Sequence, residues 1–287
     1  MTSYSIPEDF AVEPWRNVSG ADLRRTDTVP TMLHRQEQKL YYWLTRNTVG
    51  GEGAVVDLGA FAGGSTARLA QGLADAGSAT VIHAYDRFTV DPRTKKNCLY
   101  AHGVAPFEGN DLLPLAKSLL APWSDRIRLH VGEIQDIGWD AENGAIALLM
   151  LDACKRTEWT DSTAATFYPH LIAGQSIINH QDFLQWDQFW LPPHMLLMAD
   201  YFQPLAFVRN TSLMFRCVRV PTVQELTGLT VADLDDNQMI EAIRDMKRRF
   251  KGWGMGARFE RMITAIQLNP GERRHWQMKK PPPLKTD

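Results

Sequence analysis

A short apolar run, Val55-Val56-Asp57-Leu58, leads into Gly59-Ala60-Phe61-Ala62-Gly63-Gly64-Ser65-Thr66 and then into a helical pattern. No other segment constrains the fold as tightly. Glycines in such a loop let the backbone pass close to a ligand, and the first turn of the following helix offers unpaired amides. Dinucleotide enzymes use Gly-x-Gly-x-x-Gly there, because a pyrophosphate rests on the helix end. Gly59 and Gly64 fit that spacing, but Phe61 stands in the middle glycine's place. Asp57 precedes the first glycine by two residues, and an acid there suits a cationic or amine-bearing ligand better than a pyrophosphate.

Around this loop strands and helices alternate. The hydrophobic pattern predicts strands at 54–58, 80–85, 126–131, 145–151 and 176–178, with helices at 32–47, 65–76, 111–120, 160–171 and 189–201. Such alternation implies an α/β fold, a Rossmann-like doubly wound sheet that is mostly parallel. Two last strands, 205–208 and 213–220, have only 209–212 between them. A parallel crossover needs about a dozen residues, so these strands predict an antiparallel hairpin at the edge. Helices at 231–250 and 257–268 follow. The expected division is an N-terminal arm (1–31, loosened by Pro7, Pro14 and Pro30), a central domain (32–220), a helical C-terminal extension (221–270) and a flexible tail (271–287).

With 287 residues, 44% of them hydrophobic, the chain can build a sizeable core. A formal net charge of −2 gives no general attraction to nucleic acid or to an anionic membrane. The basic run Arg244, Lys247, Arg248, Arg249 and Lys251 reads as the cationic end of a helix. No signal-like N-terminus is visible, and no apolar run reaches the ~20 residues of a membrane span. Cys98, Cys154 and Cys217 are scattered, which fits reduced thiols. The expectation is a cytoplasmic protein without nucleic-acid or membrane partners. The C-terminal helices offer a surface for a homodimer.

The glycine loop resembles the first motif of class I S-adenosylmethionine-dependent methyltransferases, especially the macrocin, catechol and caffeoyl-CoA types of small-molecule O-methyltransferase. The matching residues are Asp57, Gly59, Ala60, Gly63, Ser65 and Thr66, and the resemblance implies that they border the methionine part of S-adenosylmethionine. Asp86-Arg87 closes the second strand, where the family's acid binds the ribose hydroxyls. Spacing alone leaves an NAD-binding acid open at this point. Gly132-Glu133-Ile134 resembles the pair that borders the adenine. Met32 and Glu37 stand where related enzymes place cofactor-covering residues.

After strand four, Asp152-Ala153-Cys154-Lys155 resembles the Asp-x-x-Lys of the catechol-type enzymes, whose Asp binds a divalent metal and whose Lys deprotonates the acceptor hydroxyl. The family's second pair of metal ligands corresponds to Asn179-His180-Gln181-Asp182. Asn and His replace the usual acids, and Asp182 falls one or two places late. A metal held by Asp152, His180 and Asp182 is therefore the lesser reading; the competing mechanism uses His180 as a metal-free general base, and a third reading makes His180 a purely structural residue at the strand end and Lys155 a solvated loop lysine. Phe183, Trp186, Phe189, Trp190, Tyr201 and Phe202 wall an acceptor pocket or, for at least half of them, pack the core. His194 has a similar core reading. The tail segment Lys279-Lys280-Pro281-Pro282-Pro283 is read as disordered, with an extended partner-binding segment as the alternative. The resulting expectation is methyl transfer to a small-molecule hydroxyl. Its rivals are an NAD(P)-dependent oxidoreductase on a related sheet and a non-catalytic methyltransferase-like binding protein.

Overall fold

The computed structural model describes residues 4–208 and 211–283. Across the sheet, seven strands run in the order β3-β2-β1-β4-β5-β7-β6. The sheet is mostly parallel and ends in an antiparallel pair, which is the Rossmann-like doubly wound class that the alternation implies. The chain forms two compact units, Val12–Met150 and Met1–Ala11 with Leu151–Asp287.

The first unit holds β1 (Ala54–Leu58), β2 (Ile82–Asp86) and β3 (Ile127–Val131), paired in parallel with Val55 opposite Ile82 and Ile82 opposite Ile127. It also carries most of β4 (Ile146–Leu151). Every residue of β1 is buried, as expected of a strand covered on both faces. Helices Arg35–Asn47 and Gly64–Asp75 cross closely at Gly72, where a Cβ would lie 2.1 Å from Thr45 Oγ1 and 2.3 Å from the Tyr42 carbonyl oxygen. Thr45 Oγ1 donates to the Leu69 carbonyl at 2.8 Å, tying the two helices further.

The segment expected as a loose arm is instead a run of short helices, with Ser19 and Asp22 forming a capping box. Its anchors are Trp15, Leu23 and Val29, each at most 2% exposed, and Trp15 meets Trp43 edge-on. Burial of three apolar side chains outweighs the loosening that the prolines suggest. On the β2–β3 face, His83 Nδ1 lies 3.0 Å from His130 Nε2, and Tyr85 stacks on His130.

In the second unit, β7 (Leu213–Cys217) pairs antiparallel with both β5 (Ile177–His180) and β6 (Phe202–Phe207). Of the predicted connection at 209–212, residues 209 and 210 lie outside the described residues. The helix expected over 189–201 is confined to Leu191–Leu197, since Pro192 and Pro193 must sit in its first turn. Helices Asp236–Arg249 and Gly256–Leu268 follow. Four of the five residues of the basic run are ion-paired: Arg244 with Glu241, Lys247 with Glu260, and Arg248 and Arg249 with Asp245. Of the expected flexible tail, residues 271–283 are described, and Lys279 exchanges two hydrogen bonds with Asn269. Among the described residues no helix is long and apolar enough to cross a membrane, and the three cysteines are free.

Candidate active site

The Val12–Met150 unit gathers the residues matched to the cofactor motifs. Gly59 and Gly63 adopt φ values of +96° and +93°, so the loop after β1 uses backbone that side chains rarely adopt. Gly63 also lacks room for a side chain, since a Cβ would meet Leu120 Cγ at 2.7 Å. Gly64 is packed against Pro30 and Thr31 in the same way. Asp57, 1% exposed, accepts from Ser65 Oγ at 2.8 Å and Thr66 Oγ1 at 2.6 Å, both through Oδ2. The acid therefore clamps the first turn of the helix to the end of β1. Burial pushes its carboxyl up to about 6, against the pull of the two hydroxyls.

Asp86 lies at the end of β2. Its Oδ2 accepts from the Phe61 amide at 2.9 Å and its Oδ1 from the Phe88 amide at 2.6 Å. Burial raises its pKa, and these two amides oppose the rise. A carboxylate oxygen has two acceptor positions, and each amide occupies one on its oxygen. Ala60 N donates to the Tyr85 carbonyl and Gly132 N to the Asp86 carbonyl, which joins the loops after β1, β2 and β3. Glu133 is the N-cap of the short helix Ile134–Ile137 and lies 3.7 Å from Arg87. Both partners are about half exposed, so this ion pair contributes little to stability. Asp57, Gly59, Ala60, Gly63, Ser65, Thr66, Asp86, Arg87, Glu133 and Ile134 thus lie at the ends of β1, β2 and β3 and in the linked segments that follow them.

The other unit holds the residues matched to the reacting end. Lys155 Nζ donates to Asp152 Oδ1 at 2.7 Å and also to Asp182 Oδ2. Gln188 Nε2 donates to the same Asp182 oxygen at 2.6 Å. Burial works against the Lys155 charge, but the Asp152 and Asp182 carboxylates together overcome it and raise its pKa. Burial likewise favours protonated Asp182, yet the Lys155 ammonium wins and lowers that pKa. Asp187, without such a cation bonded to it, is raised by burial. The lysine is held as a cation between two carboxylates.

At His180 the expectation of a base or ligand meets a core residue, in line with the structural alternative. The ring is 0% exposed, and its Nε2 is 3.3 Å from Tyr168 Oη. The same hydroxyl is 3.3 Å from His194 Nε2, with His194 also fully buried. One hydroxyl proton serves two rings, so Tyr168 donates to one and accepts from the other. Burial first, and His194 second, hold the His180 pKa well below its ordinary value. Asp152, His180 and Asp182 do not assemble as a ligand set: among the described residues, no group of three or more His, Cys, Asp or Glu side chains is arranged to hold a metal. The donor chemistry agrees, because an ammonium bridges two of the expected ligands and the third is turned into the core.

Phe183, Phe189, Trp190, Tyr201 and Phe202 are buried, leaving Trp186 as the one of the six expected wall residues that is partly open. Three residues that interact with Asp182 went unnoticed in the sequence, Gln188, Asp187 and His275, as did Arg156 next to Lys155. The available signal was Trp276, the one aromatic ring besides His275 in a basic, proline-bearing tail.

No family model and no curated protein matches the chain. Among solved structures, the O-methyltransferase NovP superposes with a TM-score of 0.51 at 15% identity, covering 66% of this chain and 82% of NovP. Cofactor-bound Rv0187 from MTB gives 0.49 at 15% identity, over 76% of this chain and all of that one (100%). CalS11, a TDP-rhamnose 3'-O-methyltransferase, gives 0.49 at 17% identity, over 75% and 96%. At such identities likeness speaks for architecture: this chain shares the Rossmann-like fold of the O-methyltransferase NovP.

Proposed function

We propose that the chain is an S-adenosylmethionine-dependent methyltransferase acting on a hydroxyl of a small-molecule acceptor. The observation that carries this reading is the Asp86 carboxylate bonded to the Phe61 amide, which fixes the strand-two acid to the glycine loop. Asp86 would hold the ribose through its remaining acceptor positions, and Gly59 would let the methionine part approach the backbone. Glu133 and Ile134 would border the adenine. A pyrophosphate ligand fits less well, because Phe61 replaces the middle glycine and Asp57 stands behind the loop. The resemblance of the motifs and the fold shared with NovP agree with this choice.

When bound, S-adenosylmethionine supplies a methyl group on a sulfonium, and transfer to oxygen releases S-adenosylhomocysteine. This chain's own contribution is to orient the acceptor and support loss of its proton. Two of the three Lys155 N–H groups are used by Asp152 and Asp182, leaving the third for the acceptor oxygen. A fixed ammonium there stabilises the negative charge that develops as the O–H bond weakens. Asp152, about one-third exposed, accepts the acceptor's O–H and takes its proton. His180 is assigned a packing role, with Tyr168 and His194. No step is routed through a metal, since the donor set does not fit one.

Calorimetry with S-adenosylhomocysteine and NAD⁺ on the full chain tests the cofactor half. Tighter binding of NAD⁺ would sink the proposal. Methyl transfer to a panel of phenols, catechols and sugar alcohols tests the acceptor half.

A further inference from the structure

The C-terminal residues past the last long helix are polar and proline-bearing, yet they are fastened at several points. Asn269 Nδ2 donates to the Lys279 carbonyl at 3.0 Å, and Lys279 N donates to Asn269 Oδ1 at 2.6 Å. The intervening chain is therefore a loop closed at its base. Arg273 pairs with Asp236 at 2.7 Å and lies 5.4 Å from the Phe189 ring centre. Within the loop, the 3-10 turn His275–Gln277 packs on the turn Trp186–Gln188. Trp276 faces the Arg156 guanidinium at 4.8 Å, and the same guanidinium is 5.0 Å from Trp159.

Both contacts flank the charged cluster of the reacting end. Arg156 directly follows Lys155, and Gln188 donates to Asp182. Trp276 nevertheless remains 50% exposed, so one part of the indole is held by cation–π contact while another is open. We propose that the turn His275–Gln277 forms an outer wall of the acceptor site, with Trp276 meeting the acceptor and His275 a positioning residue for the Lys155–Asp182 pair. This inference rests on the methyltransferase reading and deepens it. The charges of Asp187, Lys155 and Asp182 all reach His275, and burial leaves its pKa below the ordinary value. A neutral imidazole beside the cluster can accept or donate a hydrogen bond without adding a competing cation.

The test uses the full-length chain with His275→Gln, His275→Ala, Trp276→Ala and Lys155→Met. S-adenosylhomocysteine affinity should stay within about twofold in the first three. In the S-adenosylhomocysteine-loaded protein, the imidazole Cε1 proton resonance of His275, assigned by its loss in His275→Gln, should shift in Lys155→Met. An unmoved resonance overturns the inference. With catechol as probe acceptor, Trp276→Ala should raise KM about tenfold at nearly constant kcat. His275→Ala should lower kcat about tenfold, with partial recovery in His275→Gln. Unchanged kinetics in both Trp276→Ala and His275→Ala likewise overturn it. If S-adenosylhomocysteine fails to bind the parent chain, the methyltransferase reading falls, and the resonance, recorded on the free protein, still decides whether His275 attends Lys155.

Discussion

The loops after β1, β2 and β3 and the cluster around Lys155 are both built on carboxylates at strand ends, yet they use them differently. In the first, Asp57 and Asp86 accept only from neutral donors, two hydroxyls and two amides. Neither is hydrogen-bonded to a cation, and burial raises both pKa values, with the Arg87 charge opposing the rise at Asp86. In the second, Asp152 and Asp182 share an ammonium, which overrides burial at Asp182. One arrangement shapes a backbone; the other stores a cation. The contrast teaches that a strand-end acid announces a site without saying whether its charge is free for a ligand.

The most damaging way to probe this contrast is to remove the stored cation. Lys155→Met should lower methyl transfer about 10³-fold, in the range of a lost oxyanion donor, while cofactor affinity holds. Retention of activity within tenfold would show that the ammonium is structural. Asp86→Ala should weaken S-adenosylhomocysteine binding about 10²-fold, since the proposed ribose contacts and the tie to the Phe61 amide would be lost together. Calorimetry showing wild-type affinity would break the assignment of that acid.

Gly63→Ala probes the backbone of the same loop. Its φ of +93° and the Leu120 side chain in its way predict a loss of about 2 kcal/mol in chemical denaturation. Asp57 adds a pH signature. Its folded pKa of about 6 stands above the ordinary aspartate value of about 3.9, so its contribution to stability is full below about pH 4 and is lost as pH rises through about 6. Comparing the stability of the parent chain with Asp57→Asn from pH 4 to 7 should show a relative decline of the parent by about 2 kcal/mol. A constant difference would mean that Asp57 is not desolvated. The smallest expected effect on activity belongs to His180→Gln, with kcat within about threefold of the parent despite a lower melting temperature. A collapse of kcat without loss of stability would restore His180 as the base.

Much of the fold could be read directly. Ala54–Leu58 is apolar apart from Asp57 and bounded by glycines, so its limits agree with the pattern to the residue. The hairpin followed from four intervening residues, because chain length alone forbids a parallel crossover. β5 was harder. It extends through Asn179 and His180, which local polarity marks as loop and which long-range burial carries into the strand. Nothing near His180 in sequence reveals Tyr168 or His194, whose hydroxyl and ring make its burial tolerable. The C-terminal turn was hidden for the same reason, since its partners Arg156 and Asp236 stand far back along the chain. Local pattern sees periodicity and turn chemistry; it does not see which distant group will pair with a polar side chain.

Phe61 carries one more lesson. Its φ of +50° is a conformation in which a glycine costs nothing and a phenylalanine about 1–2 kcal/mol, and the Asp86 carboxylate secures it. Here the backbone shape is present without the glycine that usually signals it. A pattern written in residue names fails where a description written in torsion angles would succeed, and relatives of such a chain are better sought by the path of the main chain than by its spelling.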